Sequence, residues 1–211
     1  MYFLKENLTA AFSPAFRTVK ILKATVILSS SLFLAACSLV SANTEEASYN
    51  LLKADGNIEI RSYQNIVLVS TAMQSQGRDS GAFMSLFRYI SGGNAGDEKI
   101  AMTAPVFMDT ERKEKMSFVL PATYTFKDAP KPKDKSVNLE QWPQRTFAAI
   151  RFNGLLSPSN IAEHRDKLTQ WLSSENIEVS GPAIMAGYDH PMTLPSLRRN
   201  EVLIPVNYSA N

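Results

Sequence analysis

Two parts of this chain show the same succession of hydrophobic periodicities, and this repetition constrains the fold more than any other feature. In the first part, residues 58–63 alternate apolar and polar side chains, residues 66–69 form a more apolar run, and residues 80–90 have helical spacing. In the second part, residues 145–152 alternate and residues 157–172 have helical spacing. Alternation is typical of a half-buried strand, and apolar residues three and four apart are typical of a helix. With the apolar segments that follow each helix, each part predicts strand, helix, strand, strand, and hence an α+β fold.

The ends of the two predicted helices carry clear signals. The first helix has Phe83, Leu86, Phe87 and Ile90 as its apolar positions. It stops at the glycine-rich residues 92–94. An apolar hairpin follows, in which residues 99–106 lead through a charged turn at 109–115 to residues 116–121. Pro105 predicts an edge, a bulge or a bend, because proline cannot donate a hydrogen bond to a sheet. The second helix begins at Ser157-Pro158, an N-cap residue before a proline at the first helical position. Its apolar stripe comprises Ile161, His164, Leu168, Trp171 and Leu172.

Residues 1–36 predict a cleaved signal rather than a part of the fold. Three basic residues precede an apolar run of about 13 residues, which is too short to cross a bilayer core of roughly 30 Å and ends in small residues. Residues 34–37, Leu-Ala-Ala-Cys, resemble the lipobox of bacterial lipoproteins, whose cysteine is lipidated. Cys37 is the only cysteine of the chain, so it has no intrachain disulfide partner. We expect lipidation of Cys37, with a plain signal peptide and a free thiol as the alternative.

The segment after Cys37 predicts a tether and a location. Residues 38–48 are small and polar, and a single domain is expected from about residue 49 to residue 208. Ser38, rather than aspartate, follows the cysteine, which in enteric-type lipoproteins indicates the outer membrane. We therefore expect a protein that acyl chains hold at the bacterial cell envelope, on the periplasmic face of the outer membrane.

The charge balance argues against nucleic acid as a partner. The chain has 22 basic and 20 acidic side chains, of which four basic and one acidic lie in residues 1–36, leaving 18 against 19. No overall positive charge remains to favour nucleic acid. Residues 127–135 contain four lysines and two prolines and predict an exposed connector. A polyanion-binding patch is the alternative, which two aspartates in the same segment weaken.

Known catalytic motifs are missing from the sequence. It has two histidines, and it contains no GxSxG, HExxH, P-loop or dinucleotide-binding glycine pattern. Adjacent carboxylates such as Asp97-Glu98 lie in predicted loops, where solvation is their simplest role. We therefore expect a binding protein rather than an enzyme.

Two longer blocks of the chain resemble the SOUL family of haem-binding proteins. They are residues 83–106, FMSLFRYISGGNAGDEKIAMTAPV, and residues 186–202, AGYDHPMTLPSLRRNEV. They occur in the family's order, and the weaker IEIRSY at residues 58–63 extends the resemblance over nearly all of the chain after residue 48. The resemblance implies two βαββ repeats that form a distorted antiparallel β-barrel or open sheet with two flanking helices. It also implies haem, or a related tetrapyrrole, as the cofactor.

A haem pocket needs an apolar slot for the flat macrocycle and cationic groups for its propionates. The candidates for the slot are Phe83, Phe87, Met102, Val106, Met185 and Met192, with ordinary core packing as the alternative for each. Arg88 stands where haem-binding relatives often carry a basic residue, and it is the first candidate for a propionate. Arg198 and Arg199 are the second candidates. The alternative for this pair is a structural role, with one arginine held by Glu201 or a backbone carbonyl, and for Arg199 we favour that alternative.

The resemblance leaves the axial ligand of the iron open. Ser62 stands where some family members have a histidine ligand, and Thr193 stands where some relatives have a basic residue. His190 is not a family ligand, but it lies beside Tyr188 and Met192 in a predicted loop and is our candidate to approach the iron. A surface histidine is the alternative reading of His190. His164, on the second helix, predicts a partly buried and hydrogen-bonded side chain.

Three functions remain open. The first is a lipid-anchored envelope protein that binds haem or a related tetrapyrrole. The second is a binding module of the same fold for another small hydrophobic or cationic ligand. The third, which the missing motifs disfavour, is an enzyme that acts on a tetrapyrrole or a lipid.

Overall fold

A curled antiparallel sheet dominates the computed structural model, which describes residues 44–73, 80–109 and 115–209. The strands are β1 (Glu45–Glu46), β2 (Tyr49–Asp55), β3 (Ile58–Tyr63), β4 (Ile66–Ala72), β5 (Thr103–Ala104), β6 (Val106–Asp109), β7 (Lys115–Val119), β8 (Val137–Trp142), β9 (Arg145–Phe152), β10 (Glu178–Val179), β11 (Ile184–Gly187) and β12 (Asn200–Asn207). The helices are α1 (Ser80–Ile90) and α2 (Pro158–Ser174). The strands follow the order β2-β3-β9-β12-β11-β6-β7-β4-β8, and β10 pairs with β12.

The strand order has an internal symmetry that matches the sequence repeat. The β6–β11 pair lies at its centre, and β7, β4 and β8 on one side correspond to β12, β9 and β3 on the other. The repeats exchange their first strands, since β3 pairs with β9 and β8 pairs with β4. The sheet forms a half-barrel with two helices. The predicted α+β class and the open, curled antiparallel sheet are confirmed.

The inner strands of the main sheet present one face to the helices and the other to the concave side of the sheet. On β9, Ala148 and Ile150 pack in the cluster under α2, whereas Phe147 and Ala149 pack in the concave cluster. The same alternation holds on β3, where Ile60 lies on the helix face and Tyr63 on the concave face. Because side chains alternate along a strand, the predicted two faces of β9 are confirmed. Both faces of β3 are buried at nearly every position, so the prediction that β3 is half-buried is wrong.

The bounds of α1 agree with the prediction, but its buried face differs. The residues buried from α1 are Ala82, Leu86, Tyr89 and Ile90. Phe87 belongs to the apolar positions by its spacing, but its side chain is 43% exposed. Phe87 lies on the flank of the stripe and stacks on Phe83, with ring centroids 6.2 Å apart.

The glycine-rich stop after α1 has a steric cause. The Gly93 backbone N–H donates to the Arg88 carbonyl oxygen at 2.8 Å. A Cβ at position 93 would lie 2.7 Å from the same oxygen, so the close approach requires glycine. The predicted break at Pro105 also occurs, since this residue separates β5 from β6, and the Ala104–Pro105 peptide is cis.

The start of α2 follows its predicted cap. The Ser157 side chain accepts a hydrogen bond from the Asn160 backbone N–H at 3.3 Å, and Pro158 occupies the first turn. His164 stacks on Phe152 with centroids 4.2 Å apart, and its Nδ1 lies 2.8 Å from the Asn160 carbonyl oxygen. The prediction that His164 is partly buried and hydrogen-bonded is confirmed.

Two strands have no counterpart in the sequence analysis. They are β2 and β8, which lie at the two ends of the main strand order. Most of their side chains are exposed or half-buried, because an edge strand has a neighbour on one side only. Such strands carry little apolar alternation.

The region before residue 49 also differs from a simple tether. Glu45–Glu46 pairs in parallel with Thr103–Ala104, and the Ala47 N–H donates to the Ala104 carbonyl oxygen at 2.8 Å. Residues 1–43, including Cys37, lie outside the described residues. Within the parts of the chain that are described, no helix is both long and apolar enough to cross a membrane.

Candidate ligand-binding cleft

An open, largely apolar cleft lies beside α1 and over the central β6 and β11 strands. Its volume is about 340 Å³, within the range of roughly 300–1,000 Å³ that is typical of small-molecule sites. The residues that line it are Ser80, Phe83, Met84, Val106, Met108, Met116, Leu156, Gly187, Asp189, Pro191, Arg198 and Asn200.

The cleft exists because the two helices cover different strands of the sheet. Helix α1 packs on β4 and β7, and α2 packs on β9 and β12. The central strands β6 and β11 therefore lie between the two helix-covered clusters. Gly187, at the end of β11, adds no side chain, so the floor remains open there.

One side of the cleft is polar. The Arg198 Nε donates to the Thr193 carbonyl oxygen at 2.8 Å, and its Nη2 donates to the Pro191 carbonyl oxygen. The Asp189 carboxylate accepts from the Arg199 backbone N–H. Arg198 and Asp189 are the charged residues among the described ones that line the cleft. Because both guanidinium bonds go to carbonyl oxygens, the positive charge of Arg198 has no paired carboxylate in these contacts.

Of the predicted site residues, the structure brings Phe83, Val106 and Arg198 together at this cleft. Met102 packs against the core under α1, and Met185 is buried in β11. Met192 is 84% exposed in the loop after β11. None of the last three lines the cleft.

Arg88 and His190 are also outside the lining. Arg88 is exposed in the last turn of α1. It lies close enough to Asp134 that its charge adds to the hydrogen bonds from Ser136 that lower the pKa of Asp134. His190 is exposed, and its Nδ1 accepts a hydrogen bond from the Met192 backbone N–H at 3.2 Å.

Tyr188 belongs to a buried ionic cluster instead of the cleft. Its hydroxyl donates to Glu201 at 2.8 Å, and the Arg199 guanidinium lies 3.7 Å from the centre of its ring. Arg61 donates to both Glu201 carboxylate oxygens, at 2.6 and 3.0 Å. The side chain of Arg61 is 3% exposed and that of Glu201 is 0% exposed.

The cluster connects β1 to the segment around Arg198 and Arg199, which forms the polar side of the cleft. Arg199 contacts Glu201 at 3.1 Å and Glu46 at 2.9 Å, so its predicted structural role with Glu201 is confirmed. Burial would raise the pKa of the Glu201 carboxyl, but the hydrogen bonds and charges of Arg61 and Arg199 hold that pKa below its ordinary value. Burial raises the pKa of the Tyr188 hydroxyl. Glu201 is therefore a charged group within the core.

A second cavity, on the concave side, is less suited to an apolar ligand. Its volume is about 260 Å³, and Phe107 and Trp142 contribute to its lining. Lys115 and Glu140 also line it, and they already pair with each other at 2.6 Å.

Most residues that line the cleft were not predicted from the sequence. Met84, Met108 and Met116 line the cleft and were not candidates. The alternation of β6 and β7 places Met108 and Met116 on one face of a hairpin, so a register assignment could have found them. Leu156 and Asn200 come from distant segments, and no local pattern marks them. Among the described residues, no group of three or more His, Cys, Asp or Glu side chains is arranged to hold a metal ion.

The sequence model of a protein family described as "SOUL heme-binding protein" matches residues 44–205. Heme-binding protein 2 of Homo sapiens is 31% identical over 159 residues, which are 70% of this chain and 77% of that protein. Heme-binding protein 1 of Xenopus tropicalis is 28% identical over 155 residues, which are 68% of this chain and 80% of that protein.

Solved structures with the same fold are more distant in sequence. An uncharacterized conserved protein from Listeria innocua superposes with a TM-score of 0.52 at 12% identity, over 72% of this chain and 92% of that one. EcmrR, in a DNA complex determined by cryo-EM, superposes with a TM-score of 0.51 at 13% identity, over 92% of this chain and 70% of that one. At these identities the similarity concerns the fold alone.

Proposed function

The chain belongs to the SOUL heme-binding protein family, and on this premise we propose that it binds haem, or a related tetrapyrrole, in the cleft between α1 and the β6–β11 floor. The observation that carries the proposal is an open apolar cleft with one arginine at its polar side. An apolar lining can pack against the macrocycle, and a guanidinium can form a charged hydrogen bond to a propionate.

The residues of the cleft fit such a ligand in shape and chemistry. Phe83 supplies an aromatic face, and Val106 with the methionine side chains supplies an adaptable apolar floor. Arg198, which is held by two backbone carbonyls, would bind a propionate. Haem supplies the iron chemistry when it is bound, and the residues of this chain bind and orient it.

We propose binding rather than catalysis. Among the described residues, Asp189 and Arg198 are the charged groups that line the cleft, and Asp189 is already hydrogen-bonded to the backbone of Arg199. A general acid and a general base within reach of one ligand atom would be needed for acid–base chemistry. No such pair stands among the cleft residues of the described part of the chain.

Hemin titration of the purified full chain tests the proposal. We expect a shift of the Soret band that saturates at one hemin per chain. Replacing Arg198 with methionine is expected to lower hemin affinity about tenfold, because a hydrogen bond to a charged group contributes about 1.5–3 kcal/mol. The measurement is the dissociation constant from the Soret titration.

Two control variants separate the Arg198 charge from its structural role. Arg198→Lys keeps the charge and should keep most of the affinity, whereas Arg88→Met removes an exposed charge outside the cleft and should change it little. A hemin affinity that Arg198→Met leaves unchanged contradicts the role of Arg198. If the chain binds another hydrophobic molecule but no hemin, the result favours a binding module of the same fold for a different small ligand.

We also propose that Cys37 anchors the protein to the bacterial envelope, on its periplasmic side. The support is in the sequence: a basic and apolar leader, Leu-Ala-Ala before the cysteine, and no second cysteine. In bacteria grown with a labelled fatty acid, the wild-type chain is expected to carry the label and to sediment with membranes. Cys37→Ser should lose the label. A labelled Cys37→Ser chain, or an unlabelled wild type, contradicts lipidation at this residue.

A further inference from the structure

Three methionines lie side by side on the helix-facing side of the sheet. Met185 of β11 is paired with Met108 of β6, and Met108 is paired with Met116 of β7. Directly opposed residues of antiparallel strands have Cβ atoms about 4.5–5.5 Å apart. The three side chains therefore form one row across the centre of the sheet, with Met108 in the middle.

Met108 is the member of this methionine row that meets the cleft most directly. Met185 and Met116 are buried, whereas Met108 is half-buried and lines the cleft. A Cβ at Gly187 would lie 3.9 Å from the Met108 Cε. The end of the Met108 side chain therefore lies beside the gap that Gly187 leaves in the floor.

Among the described residues that line the cleft, methionine is the one residue type that commonly ligates haem iron. Proteins ligate haem iron mainly through His, Cys, Met or Tyr, and the residues that line the cleft include three methionines and none of the other three types. His190 does not line the cleft, and its Nδ1 accepts a hydrogen bond from the Met192 backbone. His164 lies on α2 and stacks on Phe152 of β9. Met84 is a second candidate ligand. Its side chain is exposed on the rim of the cleft, which α1 forms.

On the basis of the proposed haem binding, we propose that the thioether of Met108 is an axial ligand of the haem iron. A thioether is a soft, neutral donor, and methionine ligation raises the reduction potential of haem. It carries no proton that titrates between pH 5 and 8, unlike imidazole. Ligation by Met108 should therefore be independent of pH in this range.

The test compares iron ligation in full chains that differ at one methionine. The hemin-loaded wild type is expected to show the near-infrared charge-transfer band of thioether-bound ferric haem, unchanged from about pH 5 to pH 8. Met108→Leu should lose this band and lower the reduction potential. Its hemin affinity should change less than about tenfold, because leucine and methionine have similar volumes.

Matched variants assign the ligand to one position. Met185→Leu replaces the buried neighbour of Met108 in the methionine row, and Met84→Leu replaces the methionine on the rim of the cleft. Both variants keep Met108, so both should keep the band. Met108→His should replace the thioether spectrum by that of imidazole-ligated haem, which a merely structural role of Met108 would not produce.

Each contrary result has a distinct meaning. Hemin binding by the wild type without a thioether band overturns the Met108 ligand and leaves the proposed function intact. Loss of the band in Met84→Leu, or its persistence in Met108→Leu, also overturns it. A wild type that binds no hemin overturns both the proposed function and this inference.

Discussion

Replacing Glu201 with glutamine is expected to lower the free energy of unfolding by about 3–5 kcal/mol, as removal of one partner of a buried ion pair does. Glutamine preserves the volume of the side chain, so the decrease in stability comes from removing the negative charge of Glu201. Arg61, which is 3% exposed, would lose the carboxylate that accepts two of its hydrogen bonds. Arg199 would lose the same partner. Equilibrium unfolding in urea measures the change.

An exposed pair provides the matched control. Glu163 pairs with Lys167 one turn away on α2, where both side chains are more than half exposed. Glu163→Gln should cost no more than about 0.5 kcal/mol. Combining Arg61→Met with Glu201→Leu should recover part of the loss, because the buried Arg61 charge is removed together with its partner, and Arg199 keeps its contact with Glu46. If Glu201→Gln unfolds at the same urea concentration as Glu163→Gln, the buried cluster contributes little to stability.

Filling the cleft at Gly187 is expected to lower hemin affinity about 100-fold, which corresponds to about 2.7 kcal/mol. A Cβ at this position would meet Leu156 at 3.6 Å and Met108 at 3.9 Å, which are ordinary contacts. The backbone therefore accepts a side chain, but the ring of Gly187→Phe would occupy the open floor of the cleft. Soret titration measures the affinity, and unfolding in urea verifies that the variant is folded.

Two further glycine variants make the result specific to the cleft. Gly187→Ala adds only the Cβ and should change the affinity slightly. Gly96→Phe places the same ring on an exposed turn that does not line the cleft, so hemin affinity should equal that of the wild type. Undiminished binding by a folded Gly187→Phe chain would show that hemin occupies another surface.

The order of elements could be predicted from the sequence because it depends on local patterns. Alternation identified β3 and β9, and Ser157 with Pro158 identified the start of α2. The edge strands β2 and β8 were not predicted, because β2 has no regular alternation and that of β8 covers only residues 137–140. The resemblance supplied the arrangement of the two repeats, which periodicity alone does not contain.

The candidate site could be predicted only in part. Phe83, Val106 and Arg198 line the cleft, but Arg88 lies on another side of α1, near Asp134. A helical residue's direction relative to a distant segment depends on how the whole helix packs, and spacing along the sequence does not determine this. The methionine row has the same origin, since its members come from three strands brought together by their pairing register.

Local patterns in the sequence were enough to place α1, α2, β3 and β9 and to identify their apolar residues, because such patterns involve neighbours no more than four residues away. Only the tertiary structure decided that Glu201 is buried between Arg61 and Arg199, and that Met108, Gly187 and Arg198 border one cleft. Those groupings join residues tens of positions apart, and the pairing of the strands and the packing of the helices bring them together.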